Sequence, residues 1–112
     1  MKIDSRFSSG VTLVDLSGRL RRGDSGAVFD TLKDLVGKGQ MKFMLNLRDV
    51  TDIDSSGLGE LIKAYASVRR QGGELKFLHL SKKVQDLFQL TKLNEVFEVI
   101  EDEREAKAAF NC

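Results

Sequence analysis

The clearest pattern near the start of the chain is the run GVTLVDLSGRL, residues 10–20. Val11, Leu13 and Asp15 fall on one side of an extended backbone, and Thr12, Val14 and Leu16 on the other. Apolar residues on both sides mark a strand covered on much of both faces. The preceding KIDSRF predicts a short edge strand, and the SSG between the two predicts an antiparallel hairpin. From Gly23 to Gly39 the period changes. Ala27, Val28, Thr31, Leu32, Leu35 and Val36 form one helical stripe, with Asp24 as N-cap and Gly37 and Gly39 as the stop.

KFMLNL then gives a short, nearly all-apolar strand over residues 43–47, the pattern of a central strand. A polar break, RDVTDIDSSG, leads into LGELIKAYASVRRQGG. There Leu58, Leu61, Ile62, Tyr65 and Val68 recur at helical spacing, with Glu60, Lys63, Ser67 and Arg70 on the other side. Arg69 and Arg70 suit the negative end of the helix dipole, and Gly72-Gly73 ends the helix. ELKFLHL is a further strand. SKKVQDLFQLT is a short helix with Ser81 as cap and Val84, Leu87 and Phe88 inward. VFEVI is a last short strand, and EDEREAKAAF a closing helix with Ala106, Ala109 and Phe110 inward.

The order β-β-α-β-α-β-α-β-α predicts an α/β layer with a mixed sheet. The strands after Gly39 and Gly73 are expected to be parallel neighbours joined by a right-handed helical crossover. At 112 residues, one domain over residues 1–112 is the expectation. Hydrophobic residues make up 41% and charged residues 31%, which suits a folded globule rather than a disordered chain. The formal net charge of +1 gives no global case for binding nucleic acid or an anionic membrane. No stretch reaches the ~20 apolar residues of a membrane helix, and the start lacks an apolar run of signal-peptide length. A cytoplasmic protein without membrane insertion is therefore expected. The one cysteine, Cys112, has no partner for a disulfide or a cysteine-ligated metal. No proline occurs anywhere.

In an open α/β sheet, functional loops lie beyond the carboxyl ends of the strands, and RDVTDIDSSG is such a loop. Asp54, Ser55 and Ser56 are all cap-type residues, so a well-capped helix start is one complete reading. A nucleophilic serine fits poorly: G-x-S-x-G around Ser56 fails because Asp54 stands where a glycine is needed. His79, the single histidine, is placed near the same sheet edge, but no third group completes a triad. A phosphate cradle also fits poorly. GLGELI has Ile62 where the last glycine of G-x-G-x-x-G belongs, and GRLRRGDS has Asp24 where a P-loop needs lysine. Asp49, Asp52 and Asp54 resemble the start of a calcium loop. Counted from Asp49, however, position six is Asp54 instead of glycine, and Glu60 at position twelve is a chance acid. These acids read as turn and cap residues, with no metal or cofactor expected.

A modification target fits better. A serine at a helix N-terminus stands beside unpaired N–H groups and the positive end of the dipole, which stabilise an added anion. Gly57 and Gly59 keep the site free of bulk, so that another backbone or an active site can approach.

The run Asp54-Ser55-Ser56-Gly57-Leu58-Gly59 resembles the signature of anti-sigma factor antagonists, the STAS-domain switch proteins of bacteria. The resemblance covers nearly the whole chain, through LSGRL, FMLNLRDVTDIDSSGLGEL and GGELKFLHLSKKVQDLFQLTKLNEVFEV in that order. It implies a STAS-type fold: a mixed four- to five-stranded sheet with about four helices packed largely on one face. It also implies a non-enzymatic partner switch. The unphosphorylated form binds an anti-sigma factor, a serine kinase with a histidine-kinase-like ATPase fold, and a sigma factor is freed. The kinase phosphorylates the serine corresponding to Ser56, the complex falls apart, and a metal-dependent serine phosphatase resets it. Asp54 and Ser55 would flank and shape the acceptor site. The implied partner surface is Asp54, Ser55, Ser56, Gly57, Leu58 and Gly59 with Arg21, Arg22 and Asp24 of the neighbouring loop. A second implication is a STAS regulatory subunit of a lipid- or anion-transport ATPase, with the fold but no phosphorylation cycle. One position departs from the pattern. Family members commonly carry an acid in G-x-[ILV]-D after the second-strand glycine, and here Gly18-Arg19-Leu20 is followed by Arg21. Either Asp24 compensates, or Arg21 alters kinase recognition or pairs with the added phosphate.

Overall fold

The computed structural model describes residues 2–21 and 26–101. Strands β1 (Lys2–Ser8) and β2 (Val11–Leu20) form the expected antiparallel hairpin, with Ser8 opposite Val11. Ser9 and Gly10 turn the chain with φ of 55° and 80°, the double left-handed geometry of a tight hairpin. Helix α1 spans Gly26–Gly37 and strand β3 spans Lys42–Ile53. Helix α2 (Ser55–Arg70), β4 (Glu74–Leu78), α3 (Lys82–Leu90), a 3-10 turn (Leu93–Glu95) and β5 (Val99–Ile100) follow. The sheet order is β1-β2-β3-β4-β5, with every pairing after the first hairpin parallel. The predicted α/β class, the mixed sheet and the parallel β3–β4 pair are all present. Three α-helices are described; the predicted closing helix and the predicted cap Asp24 lie outside the described residues.

The two sides of β2 separate two buried clusters. Val14, Leu16 and Leu20 join Phe43, Leu45, Leu47 and Phe77 with the helix residues Val28, Leu32, Leu58, Leu61, Ala64, Val68, Val84 and Phe88. Val11, Leu13, Met44, Leu78 and Ile100 form a smaller cluster on the other face, to which α1, α2 and α3 contribute nothing. The described helices therefore share one face of the sheet. Its densest part is aromatic. Phe97 stacks on Tyr65 and Phe77 at 4.8 and 4.7 Å between ring centres, and Phe88 meets Phe77 edge-on at 5.6 Å. Such offset and edge-on pairs add to the benefit of burial itself.

Both long helices stop on glycine as their sequences predict. Gly72 takes φ 87°, its N–H donates to the Arg69 carbonyl, and that of Gly73 donates to Val68. Gly39 repeats this at φ 91°, with Gly39 and Gln40 donating to Val36 and Leu35. These are paired 5→2 and 6→1 closures that satisfy the last carbonyls of a helix.

Four expectations need correction. β3 runs on to Ile53, so most of the expected loop is strand. Ile62 is 42% exposed, and Ala64 takes the buried place predicted for it. Residues two apart on a helix lie about 200° around its axis from each other, so Ile62 and Ala64 cannot both face the core. Ala27 is exposed, whereas Phe29, absent from the predicted stripe, is half-buried against the core with the Lys63 ammonium 4.3 Å from its ring centre. In VFEVI only Val99–Ile100 is strand. Phe97 instead donates its N–H to the Leu93 carbonyl and turns into the aromatic cluster.

Truncating the aromatic centre leaves a cavity and removes transfer energy together, so Phe77→Ala should lower unfolding stability by about 3–5 kcal/mol in urea titrations. Ile62→Ala in the same measurement should cost under about 1 kcal/mol, the reverse of what its place in the helical pattern suggests.

Candidate functional site

The polar break between β3 and α2 contracts to one residue, Asp54. It adopts the extended backbone of an N-cap (φ −108°, ψ −177°), and its Oδ1 accepts from the Gly57 N–H at 2.8 Å. Its carbonyl accepts from Leu58 at 2.9 Å. The cap is therefore Asp54, and Ser55 and Ser56 are the first two helical residues. Of the three cap-type residues read in the sequence, Asp54 is the one that caps. Both serines are exposed, and neither hydroxyl has a partner among the described residues. The Ser55 and Ser56 N–H groups, two of the four orphan donors of a helix start, also point out unpaired among those residues. No acidic side chain occupies the first turn of this 16-residue helix itself, so the Asp54 cap is the carboxylate that meets its positive end among the described residues.

The long reach of β3 sets the position of this helix start. β3 carries two irregularities against β2, where Asp15 and Ser17 face Asn46 and Asp49, and Gly18 and Arg19 face Val50 and Asp52. In each case β3 holds one residue more than β2. Such bulges bend a strand and raise its twist. Gly18, at φ 101°, supplies the left-handed backbone on the β2 side, and its carbonyl accepts from the Thr51 hydroxyl at 3.2 Å. The ladder closes with the Asp54 N–H donating to the Leu20 carbonyl at 3.3 Å.

That same carbonyl explains Gly57. A β-carbon on Gly57 would lie 2.0 Å from the Leu20 oxygen and 2.8 Å from its carbon. Gly57 is buried and makes room for the end of β2, inside the protein. Gly59 is exposed with open space around it, so of the two glycines it alone leaves a bare outer surface. Leu58 turns into the core beneath the serines.

Arg21 follows directly on Leu20. Its Nε lies 3.3 Å from Asp52 Oδ2, while Lys83 Nζ of α3 lies 3.4 Å from Asp52 Oδ1. One half-buried carboxylate thus joins the end of β2 to the start of α3. The Arg21 side chain is about half exposed, so each pair contributes at most about 1 kcal/mol. Arg22 and Asp24 lie outside the described residues, and the described partner of Arg21 is Asp52. Asp52 and Lys83 are the site residues that sequence reasoning missed. The β-branched Val50, Thr51 and Ile53 were the available signal that the strand runs on and carries Asp52 with it. His79 takes φ 51° at the end of β4 and donates its N–H to the Ile100 carbonyl at 3.1 Å. Its imidazole and Ser56 make no contact with each other among the described residues.

Two glycines two residues apart near the start of one helix thus carry opposite expectations. Gly57→Ala should lower stability by about 2–4 kcal/mol, as for an overpacked core whose obstacle is backbone. Gly59→Ala should be neutral or stabilising by up to about 1 kcal/mol, because alanine favours the helix and meets nothing. Thermal and urea unfolding of the two variants separate these outcomes.

Residues 2–106 match the family model of the STAS domain. Over 99 residues the chain is 26% identical to the anti-sigma-B factor antagonist of Bacillus subtilis, covering 88% of this chain and 90% of that protein. Among solved structures, an anti-sigma factor antagonist from Mycobacterium paratuberculosis superposes with a TM-score of 0.86 at 18% identity, over 99% of this chain and 94% of the other. The Bacillus cell fate determinant SpoIIAA in its phosphorylated form superposes with a TM-score of 0.73 at 17% identity, over 97% and 99%. At these identities the two structures speak for the shared fold. The five-stranded mixed sheet with its helices on one face, and the match across nearly the whole length, have one meaning: the chain belongs to the STAS domain family.

Proposed function

We propose that this chain is an anti-sigma factor antagonist that works as a phosphoserine partner switch, with Ser56 as the acceptor. In its unphosphorylated form it binds an anti-sigma serine kinase and a sigma factor is released. Phosphorylation of Ser56 ends the complex, and a serine phosphatase restores it. The protein performs no catalysis of its own; the kinase brings the nucleotide. The observation that carries the reading is the setting of Ser56: an exposed hydroxyl at the second position of a long helix, where, among the described residues, neither that hydroxyl nor the N–H groups of Ser55 and Ser56 have a partner. The 26% identity to an antagonist of known name, over nine-tenths of both chains, points the same way.

The physical argument concerns what a phosphate does there. It brings about −1.5 to −2 charges and three strong acceptor oxygens. Within the free protein the α2 dipole and the open N–H groups accommodate that charge, so the fold need not change. Under a partner, the same dianion must be stripped of water without a prepared counter-charge. A loss of about 2.8 kcal/mol at the interface suffices for a hundredfold weaker complex. Arg21 is a second element of the switch. Its bond to Asp52 is exposed and shared with Lys83, so a phosphate beside the end of β2 competes for it effectively.

Ser56→Ala should bind the kinase constitutively and take up no phosphate. Ser56→Asp should bind at least tenfold more weakly than wild type, by the usual arithmetic of about 1.4 kcal/mol per decade. Binding is read by calorimetry, and phosphate by intact mass and peptide mapping after incubation with the kinase and ATP. Wild-type affinity in both variants, or a phosphate mapped elsewhere than Ser56, would overturn the switch. Ser55→Ala should remain a substrate.

A further inference from the structure

A groove of about 570 Å³ opens beside the Ser56 turn, between the end of β3 and one face of α3. Ile53, Leu87 and Leu90 form its apolar floor and lip, and Lys82, Lys83 and Asp86 its rim. Leu90 is 82% exposed, so a small ligand lying here would stay largely wet, unlike the deep enclosure of ordinary ligand pockets. The charge at its head is unusual for a helix start. Lys82 and Lys83 occupy the first turn of α3, which carries no acid of its own and where the helix dipole is itself positive. Among the described residues Lys82 pairs with the exposed Asp86 at 2.9 Å and Lys83 with the half-buried Asp52 at 3.4 Å. A third tie fixes the place: the Ser81 N–H donates to the Leu47 carbonyl, which holds the head of α3 against β3.

We propose that this groove is a second docking surface for the anti-sigma partner, and that its occupant is an amphipathic segment carrying apolar side chains and at least one carboxylate. The apolar side chains cover Leu87, Leu90 and Ile53, and the carboxylate takes over Lys82 or Lys83 at the head of α3. The groove is continuous with the switch. Ile53 immediately precedes the cap Asp54, and Lys83 shares Asp52 with Arg21. A partner that covers the Asp54 cap is therefore next to a residue that lines the groove. The proposal rests on the anti-sigma reading but assigns it a contact that the phosphate does not touch. The groove thus supplies affinity, and the Ser56 turn supplies control.

The probe is the purified host anti-sigma kinase that binds the wild-type chain, measured without ATP. Leu90→Glu should weaken binding by about tenfold or more, as for an apolar anchor in an interface. The double variant Lys82→Glu, Lys83→Glu should do likewise and flatten the salt dependence. Circular dichroism and thermal melts confirm that both remain folded; Leu90 is exposed, so its variant tests the groove even if the lysine pair disturbs α3. Binding within about twofold of wild type in both variants, while Ser56→Asp loses it, would overturn the groove and leave the switch standing. If Ser56→Asp bound normally while Leu90→Glu did not, the switch would fall and the groove remain. A wild-type dimer in sedimentation that Leu90→Glu abolishes would assign the groove to a second copy and overturn the proposal.

Discussion

The contact between the backbone of Gly57 and the carbonyl of Leu20 is the constraint around which the Ser56 end of this molecule is built. A helix start must come within van der Waals distance of a strand end, and only a residue without a side chain allows it. Everything that gives Ser56 its character depends on that approach. The Asp54 cap sits where the β2–β3 ladder closes, so the cap is held by sheet hydrogen bonds and by its own bond to Gly57. The serines that follow are presented on a rigid element. On the proposed reading, a phosphate added there meets a rigid element, whereas a mobile loop would relax around the added charge.

The electrostatics around this end follow a similar economy. Asp52 sits between Arg21 and Lys83, two cations from elements far apart in the chain. Neither pair is strong, since both lie at the surface. Their value is positional: a half-buried carboxylate fixes where the two cationic side chains are most often found, while leaving each able to exchange partners.

Much of this was legible in the sequence. Alternation in β2 predicted not only the strand but which residues face which cluster, because apolar residues on both sides have one meaning in an α/β sheet. The glycine stops of α1 and α2 were readable because left-handed closure has few other solutions. The site was legible as a serine at a helix start, and its family signature was read directly from Asp54 to Gly59. What stayed hidden was non-local. The β-branched residues of RDVTDI favour a longer strand, but the two bulges that seat it against β2 depend on the partner strand's spacing. That Gly57 serves the interior and Gly59 the exterior depends on where Leu20 ends. Ile62 and Ala64 differ in burial because residues two apart on a helix lie about 200° around its axis from each other, and Ala64, though small, is on the inward side. The apolar pattern favoured the larger residue of the two.

The order of the sheet has a consequence for how the molecule comes into being. Strands β1 to β5 lie side by side in the order in which they are translated, and each pairs only with its immediate predecessor and successor. The sheet can therefore grow at one edge, one strand and helix at a time, as the chain emerges from the ribosome. No long-range strand must be awaited to fill a gap in the middle, which keeps loop-closure costs small at each addition. The chain also lacks proline, so no slow prolyl isomerisation interrupts this growth. The architecture of this chain thus favours stepwise assembly during synthesis.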